Sequence, residues 1–286
     1  MSPPPPPERP PLREVIARHG LAARHALGQH FLLDGNVTAR IVRLAGDLGD
    51  RHVIEVGPGP GGLTRSLLDS DAATVTAIEI DPRAVAAIRE LSETAPDRLR
   101  IVEGDALALD LRSLVPAPRR IIANLPYNVG TPLLIGWLRQ AAAFEGLTLM
   151  FQREVAERIA AQPGTRAYGR LSVLAQWVCA IEIGLRLPPA AFVPPPRVSS
   201  AVICLTPHTS QPSAARFAVM ERLTAAAFGQ RRKMLRAALR AALGTSAAES
   251  LLRRAGIAPE RRAETLSVAE FDRLAALLEA DTAGSS

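Results

Sequence analysis

Three features of the 286-residue chain predict an α/β fold with a smaller all-helical domain behind it. Short apolar runs alternate with helical stretches from His52 to Phe151, the pattern of a parallel sheet with helices on both faces. A glycine-rich turn, Gly57 to Gly62, joins the first run to the first helix. After Pro207 the strands stop, and residues 213–280 hold Ala/Leu/Arg helices broken at Gly229, Gly244, Gly256 and Pro259. The predicted organisation is a Pro-rich tail and short helix over 1–24, a sheet domain over 25–207, and a helical domain over 208–286.

Met1 to Pro11 is a proline run, expected to be disordered or polyproline. Leu12–His19 predicts a short helix ended by Gly20. Val37, Ile41, Leu44 and Leu48 have helical spacing, and Asp34 or Asn36 is placed to cap that helix. The alternation follows: strands over His52–Val56, Thr74–Ile80, Leu99–Glu103, Arg120–Ala123 and Leu147–Phe151. Helices over Gly62–Leu68, Arg83–Leu91, 110–115 and 131–139 lie between them. Two later strands, Cys179–Leu187 and Ser199–Leu205, flank a proline-rich loop, Pro188–Pro196.

Composition narrows the function classes. No run approaches the roughly 18 apolar residues of a membrane span, and Met1–Pro11 lacks the apolar core of a secretory signal. Cys179 and Cys204 sit in apolar stretches, as expected of two buried thiols in a cytoplasmic protein. No metal site is expected: His19, His25, His30, His52 and His208 show no ligand spacing, and there is no C-x-x-C. A phosphate-binding Walker loop and a G-x-S-x-G elbow are absent too. The net charge of +6 favours an anionic partner, nucleic acid being the commonest.

The glycines at 57, 59 and 62 let a cofactor approach the main chain. Glu79, ending the second strand of the alternation, is placed to accept both hydroxyls of a ribose. Together they indicate a nucleoside cofactor, and a nicotinamide dinucleotide would satisfy them equally. Two features separate the cofactors. Asp105 follows the third strand, where an acid can accept from an adenine amino group. Asn124-Leu125-Pro126-Tyr127 closes the fourth. An adenine amine is a poor nucleophile, because its lone pair is delocalised into the ring. The side-chain oxygen of Asn124 and the carbonyl of Leu125, aimed at its two N–H groups, would localise that lone pair and stabilise the growing positive charge. Pro126 adds no competing N–H, and Tyr127 can stack on an extruded base.

Asn124–Tyr127 with Glu55–Thr64 resembles the ribosomal RNA adenine dimethyltransferases, a group that includes the large-subunit resistance methylases. Further segments resemble its bacterial small-subunit branch: Leu27-Gly28-Gln29-His30-Phe31-Leu32-Leu33-Asp34, Phe151–Arg158, Ala167–Val173, Phe192–Val198 and Phe228–Lys233. The likeness runs from about residue 24 to the end. It implies a Rossmann-like S-adenosylmethionine-dependent methyltransferase domain that dimethylates two adjacent adenines near the 3′ end of 16S rRNA during small-subunit biogenesis, acting as a monomer. It further implies that His30 and Leu32 line the cofactor's methionine end, with Gly57 and Gly59 beneath it, Glu79 at the ribose and Asp105 at the adenine. Asn124 would serve both cofactor and target, and Phe192 would face Tyr127 across the base. His30 stands where many members carry Asn.

Gln230–Arg240 is expected to form a basic helix, with Arg231, Arg232, Lys233 and Arg236 contacting RNA phosphates. Three alternatives compete. A nicotinamide-dependent oxidoreductase needs a proton relay, yet the only lysine, Lys233, lies far down the chain. A large-subunit methylase of the resistance type shares the catalytic motif. A non-catalytic ribosome-assembly factor would use the same surface.

Overall fold

The computed structural model describes residues 9–21 and 30–283. The proline run before residue 9 and the Leu27–Gln29 part of the quoted segment lie outside the described residues. Helix α1 (Leu12–Arg18), strand β1 (Phe31–Leu32) and α2 (Gly35–Leu44) come first. The alternation is β2 (His52–Val56), α3 (Gly62–Leu68), β3 (Thr74–Glu79), α4 (Pro82–Ser92), β4 (Leu99–Glu103), α5 (Leu111–Leu114), β5 (Arg119–Asn124), α6 (Gly130–Leu138) and β6 (Gly146–Gln152). Next come α7 (Arg153–Ile159), α8 (Arg170–Val178), β7 (Cys179–Leu187), β8 (Phe192–Val193) and β9 (Ser200–Pro207). The chain closes with α9 (Ala214–Gly229), α10 (Leu235–Leu243), α11 (Thr245–Arg254) and α12 (Val268–Ala283).

Seven strands form one sheet in the order β4-β3-β2-β5-β6-β9-β7, while β1 and β8 pair separately. From β4 to β6 all pairs are parallel, and right-handed crossovers to either side of β2 put helices on both faces. Val53, Ile54, Ile121, Ile122 and Ala123 are buried, as the central strands of a doubly covered sheet require. The alternating strands form the expected parallel sheet, and the later strand β9, for which no direction was expected, runs antiparallel to β6 with Leu149 opposite Ile203. It arrives by way of edge strand β7 and a proline-rich loop, with no crossover helix directly before it to impose a parallel direction.

Residues 9–11, part of the expected disordered or polyproline tail, carry neither helix nor strand, and Pro11 has φ −53° and ψ 137°. They are tied to the sheet unit, Arg9 pairing with Asp69 at 2.8 Å and Arg65 donating to the Pro10 carbonyl at 2.7 Å. Val15 and Leu21 then bury themselves against Ala84 and Ala87 of α4. Asp34 caps α2, its carboxylate accepting from the Asn36 N–H at 2.8 Å.

The chain divides into two compact units. The first carries most of the sheet. The second holds residues 207–286 together with Glu157–Ile181 and Trp137–Ala142, so the boundary expected at 207/208 misses the part played by α8. Leu171–Ala175 of α8 is buried, and the helix packs on α9 and α12. Within this unit Phe228 stacks on Phe271 with centroids 5.6 Å apart, and Trp177 donates to Asp272 at 3.0 Å. Helices α7 and α8 were not anticipated as elements.

Candidate active site

The sheet order reverses between β2 and β5, and the crevice beyond their carboxyl ends is where such sheets bind ligands. A cavity of about 280 Å³ opens there. Its wall takes Gly57 and Gly59 from the β2 turn, Glu79 and Asp81 from the end of β3, Asp105 and Leu107 after β4, and Asn124 to Val129 after β5. His30 and Phe31 close one side. Among the residues expected at the site, His30, Gly57, Gly59, Glu79, Asp105, Asn124, Leu125, Pro126 and Tyr127 all lie on this wall.

Asn124 is held in one sense. Its Nδ2 donates to the main-chain oxygen of His30 at 3.1 Å. A carbonyl only accepts, so the amide cannot be flipped without losing that bond, and Oδ1 remains to accept elsewhere. The same reasoning fixes His30: Nδ1 lies 2.9 Å from the Pro194 carbonyl and therefore carries the proton. Its ring leans against Tyr127, centroids 5.4 Å apart, and the Tyr127 hydroxyl meets the Ser200 hydroxyl at 2.6 Å.

Glu79 is almost buried. One carboxylate oxygen accepts from the N–H groups of Ile80 (2.8 Å) and Asp81 (2.9 Å), and the other from Gly59 (3.2 Å). With about four acceptor positions on a carboxylate, one on Oε2 is left. Burial raises its pKa above the usual carboxylate range, against the pull of the three N–H groups. Asp105 spends one oxygen on the Leu107 N–H at 2.9 Å.

The turn itself offers no anion nest. The Gly57 N–H goes to Ile78, Gly59 to Glu79 and Gly61 to Pro58, while Pro58 and Pro60 have none to give. Gly59 has φ +55°, and a Cβ there would meet the Phe31 ring at 3.0 Å. Although the chain is basic, the cavity wall bears Glu79, Asp81 and Asp105 and, among the described residues, no arginine or lysine. Such a wall complements a cation and repels a pyrophosphate. Of these acids Asp81 is paired with Arg83 at 2.6 Å, which leaves Glu79 and Asp105 as the carboxylates facing the cavity.

Two expected residues are elsewhere. The register Leu32↔Phe192 of the β1–β8 pair turns both side chains into the core, with Phe192 only 2% exposed. Phe192 meets His30 edge-on at 6.5 Å and does not line the cavity. Sequence reasoning in turn overlooked Ile80 and Leu107, which are 64% and 51% exposed on the cavity wall at the ends of adjacent strands. For Ile80, directly after the strand-end acid Glu79, that position was the available signal; Leu107, four residues beyond β4, had none.

The basic helix expected over Gln230–Arg240 is interrupted. α9 ends at Gly229, a turn follows, and α10 begins at Leu235. Arg231 is engaged within its own unit, pairing with Glu264 at 2.9 Å and donating to the carbonyls of Arg166 (2.6 Å) and Tyr168 (2.7 Å). Arg236 lies 3.7 Å from Glu260, and Arg232 and Lys233 are exposed.

The family model for ribosomal RNA adenine dimethylase matches residues 20–280. A ribosomal RNA small subunit methyltransferase A of Gluconobacter oxydans is 60% identical over 96% of this chain and 91% of its own. The protein of the same name in Paramagnetospirillum magneticum is 56% identical over 96% of each chain. Among solved structures, a dimethyladenosine transferase from Plasmodium falciparum matches with TM-score 0.76 and 26% identity, covering 89% of this chain and 98% of that one. The 23S rRNA methyltransferase ErmE matches with TM-score 0.65 and 27% identity, covering 87% and 99%.

Proposed function

Because the chain belongs to the ribosomal RNA adenine dimethylase family, we propose that it dimethylates the exocyclic amines of two adjacent adenines near the 3′ end of 16S rRNA, using S-adenosylmethionine, in the cytoplasm. One observation carries the chemistry: the Asn124 amide, oriented by the His30 carbonyl, keeps Oδ1 as a free acceptor at the cavity.

S-adenosylmethionine, when bound, supplies a methyl group on a positively charged sulfur. The acidic wall favours that charge. The remaining acceptor position on Glu79 takes a ribose hydroxyl, the second oxygen of Asp105 accepts from the adenine amine, and Ile80 and Leu107 cover the faces of that ring. For the target base, Tyr127 offers a stacking face steadied by Ser200. Oδ1 of Asn124 and the Leu125 carbonyl accept the two N–H groups of the amine, which returns the lone pair to nitrogen and stabilises the charge formed on alkylation. The alkylated nitrogen then sheds a proton to solvent, so no buried base is required. In an acid-lined cavity without Lys or Arg, the target's own phosphates stay outside.

The test is methyl incorporation from labelled cofactor into unmethylated small and large subunits. Wild type should label adenines of the small subunit alone. Asn124→Ala should lower the rate about 10²- to 10³-fold, the scale for losing one aligned electrostatic contact, while cofactor binding remains measurable. Undiminished labelling by that variant would sink the mechanism, and labelling of large subunits would move the substrate to the other branch.

A further inference from the structure

Away from the cavity, the first unit carries an open groove of about 740 Å³ between the N-terminal segment, α2 and the end of β7. Three arginines from three elements line it: Arg13 of α1, Arg40 of α2 and Arg186 of β7. All three are exposed, and none has a side-chain partner among the described residues. Elsewhere in this unit arginines are commonly engaged, as Arg9, Arg51, Arg83 and Arg98 are. The one acid on the groove wall, Asp34, is committed to capping α2. The floor between the arginines is aliphatic, including Leu12 and Leu187.

Val193, which also lines the groove, is 47% exposed and pairs with Phe31 of the cavity wall. Beyond it the loop is fastened at both ends to that wall, Pro194 to His30 and Ser200 to Tyr127. Between these anchors Arg197 is exposed and likewise without a partner among the described residues. The groove and the adjoining loop therefore carry four exposed arginines without side-chain partners among the described residues, and the loop is fastened to the cavity wall.

We propose that this groove is a track for the sugar–phosphate backbone of a single RNA strand flanking the target adenines, with Arg13, Arg40 and Arg186 on its phosphates. The proposal rests on the reading of the substrate as RNA. Charge complementarity selects the occupant: separated guanidiniums on an open, partly apolar floor suit a chain of phosphodiesters threaded by riboses. A compact phosphate metabolite would need converging donors, which this wide groove does not offer.

The test uses the full chain with Arg13, Arg40 and Arg186 all replaced by Ala, and a second variant with all three replaced by Lys. The probe is a fluorescent single-stranded oligoribonucleotide, titrated across a range of salt. Since each phosphate contact on a single strand contributes about 0.7 to the slope of log K against log salt, the Ala variant should lose about 2 from that slope. The Lys variant should recover most of it. With unmethylated small subunits the Ala variant should show a raised KM and an unaltered kcat, with cofactor affinity unchanged. An unchanged slope and affinity for the oligonucleotide would overturn the proposal. Unchanged oligonucleotide binding with a raised KM on the particle would also overturn it, in favour of an acidic protein surface. Should wild type bind the oligonucleotide with the predicted slope difference yet methylate no small subunit, the groove stands and the proposed reaction falls.

Discussion

Glu55 lies in β2 two residues before Gly57, and it is 1% exposed, with Oε2 lacking a hydrogen-bond partner among the described residues. Burial, opposed by the neighbouring Thr64 hydroxyl and reinforced by the charge of Glu79, pushes its pKa from 4.5 up to about 8. Glu55→Gln preserves the shape and removes the titration. In the wild type the folded state keeps this proton to about pH 8, whereas the unfolded chain releases it near 4.5. The raised pKa means that its contribution to stability is fully present below the unfolded value and is lost as pH rises through the folded one. The difference, 8 − 4.5, corresponds at about 1.4 kcal/mol per pH unit to a total loss of about 5 kcal/mol. Between about pH 6 and pH 9 the expected share is about 3 kcal/mol. At about 2–4 °C per kcal/mol for a chain of this size, Glu55→Gln should gain about 10 °C on wild type across that interval. Thermal melts of both proteins at several pH values check this. A gap between them that stays flat, or closes as pH rises, would refute the reasoning.

Gly59→Ala should destabilise the protein by about 1–2 kcal/mol and weaken cofactor binding, since Ala resists φ +55° and its Cβ meets Phe31; calorimetric titration with cofactor measures the second effect. Arg231→Ala should lower thermal stability by about 1–3 kcal/mol, because Glu264 and two carbonyls lose their donor. Arg232→Ala should leave the melt unchanged and reduce RNA affinity, so the two variants separate anchoring from contact. Tyr127→Phe keeps the stacking face and loses only the bond to Ser200, about 1 kcal/mol of stability, and should retain methyl transfer that Tyr127→Ala loses.

The sheet domain was legible because its information is local. β2 and β4 match the expected strands residue for residue, and β3, β5 and β6 differ only at their ends. The strand-end acids and Asn124 could be placed because a parallel sheet delivers every carboxyl end to one edge. What was hidden depends on partners far away in sequence. Nothing near Phe192 reveals that pairing with Leu32 turns its ring inward. Spacing within Gln230–Arg240 could not show that Arg231 leaves the presumed helix to serve Glu264. The direction of β9 and the allegiance of α8 are likewise set by neighbours, not by periodicity. The groove joins positions 13, 40 and 186, a cluster that exists only once the chain has folded.

A glycine-rich turn at the head of a helix usually welcomes phosphate, and a cell is full of nucleotides that would accept the invitation. Here two prolines and three internal commitments leave the turn from Gly57 to Gly61 with nothing to extend to them. On the proposed reading, selectivity would work by withholding. ATP and the pyridine nucleotides share adenosine with the methyl donor, and the Glu79 and Asp105 positions alone would not tell them apart. They would be disfavoured on that reading, because each must bring negative charge beside Glu79 and Asp105 to a turn whose own N–H groups are already committed.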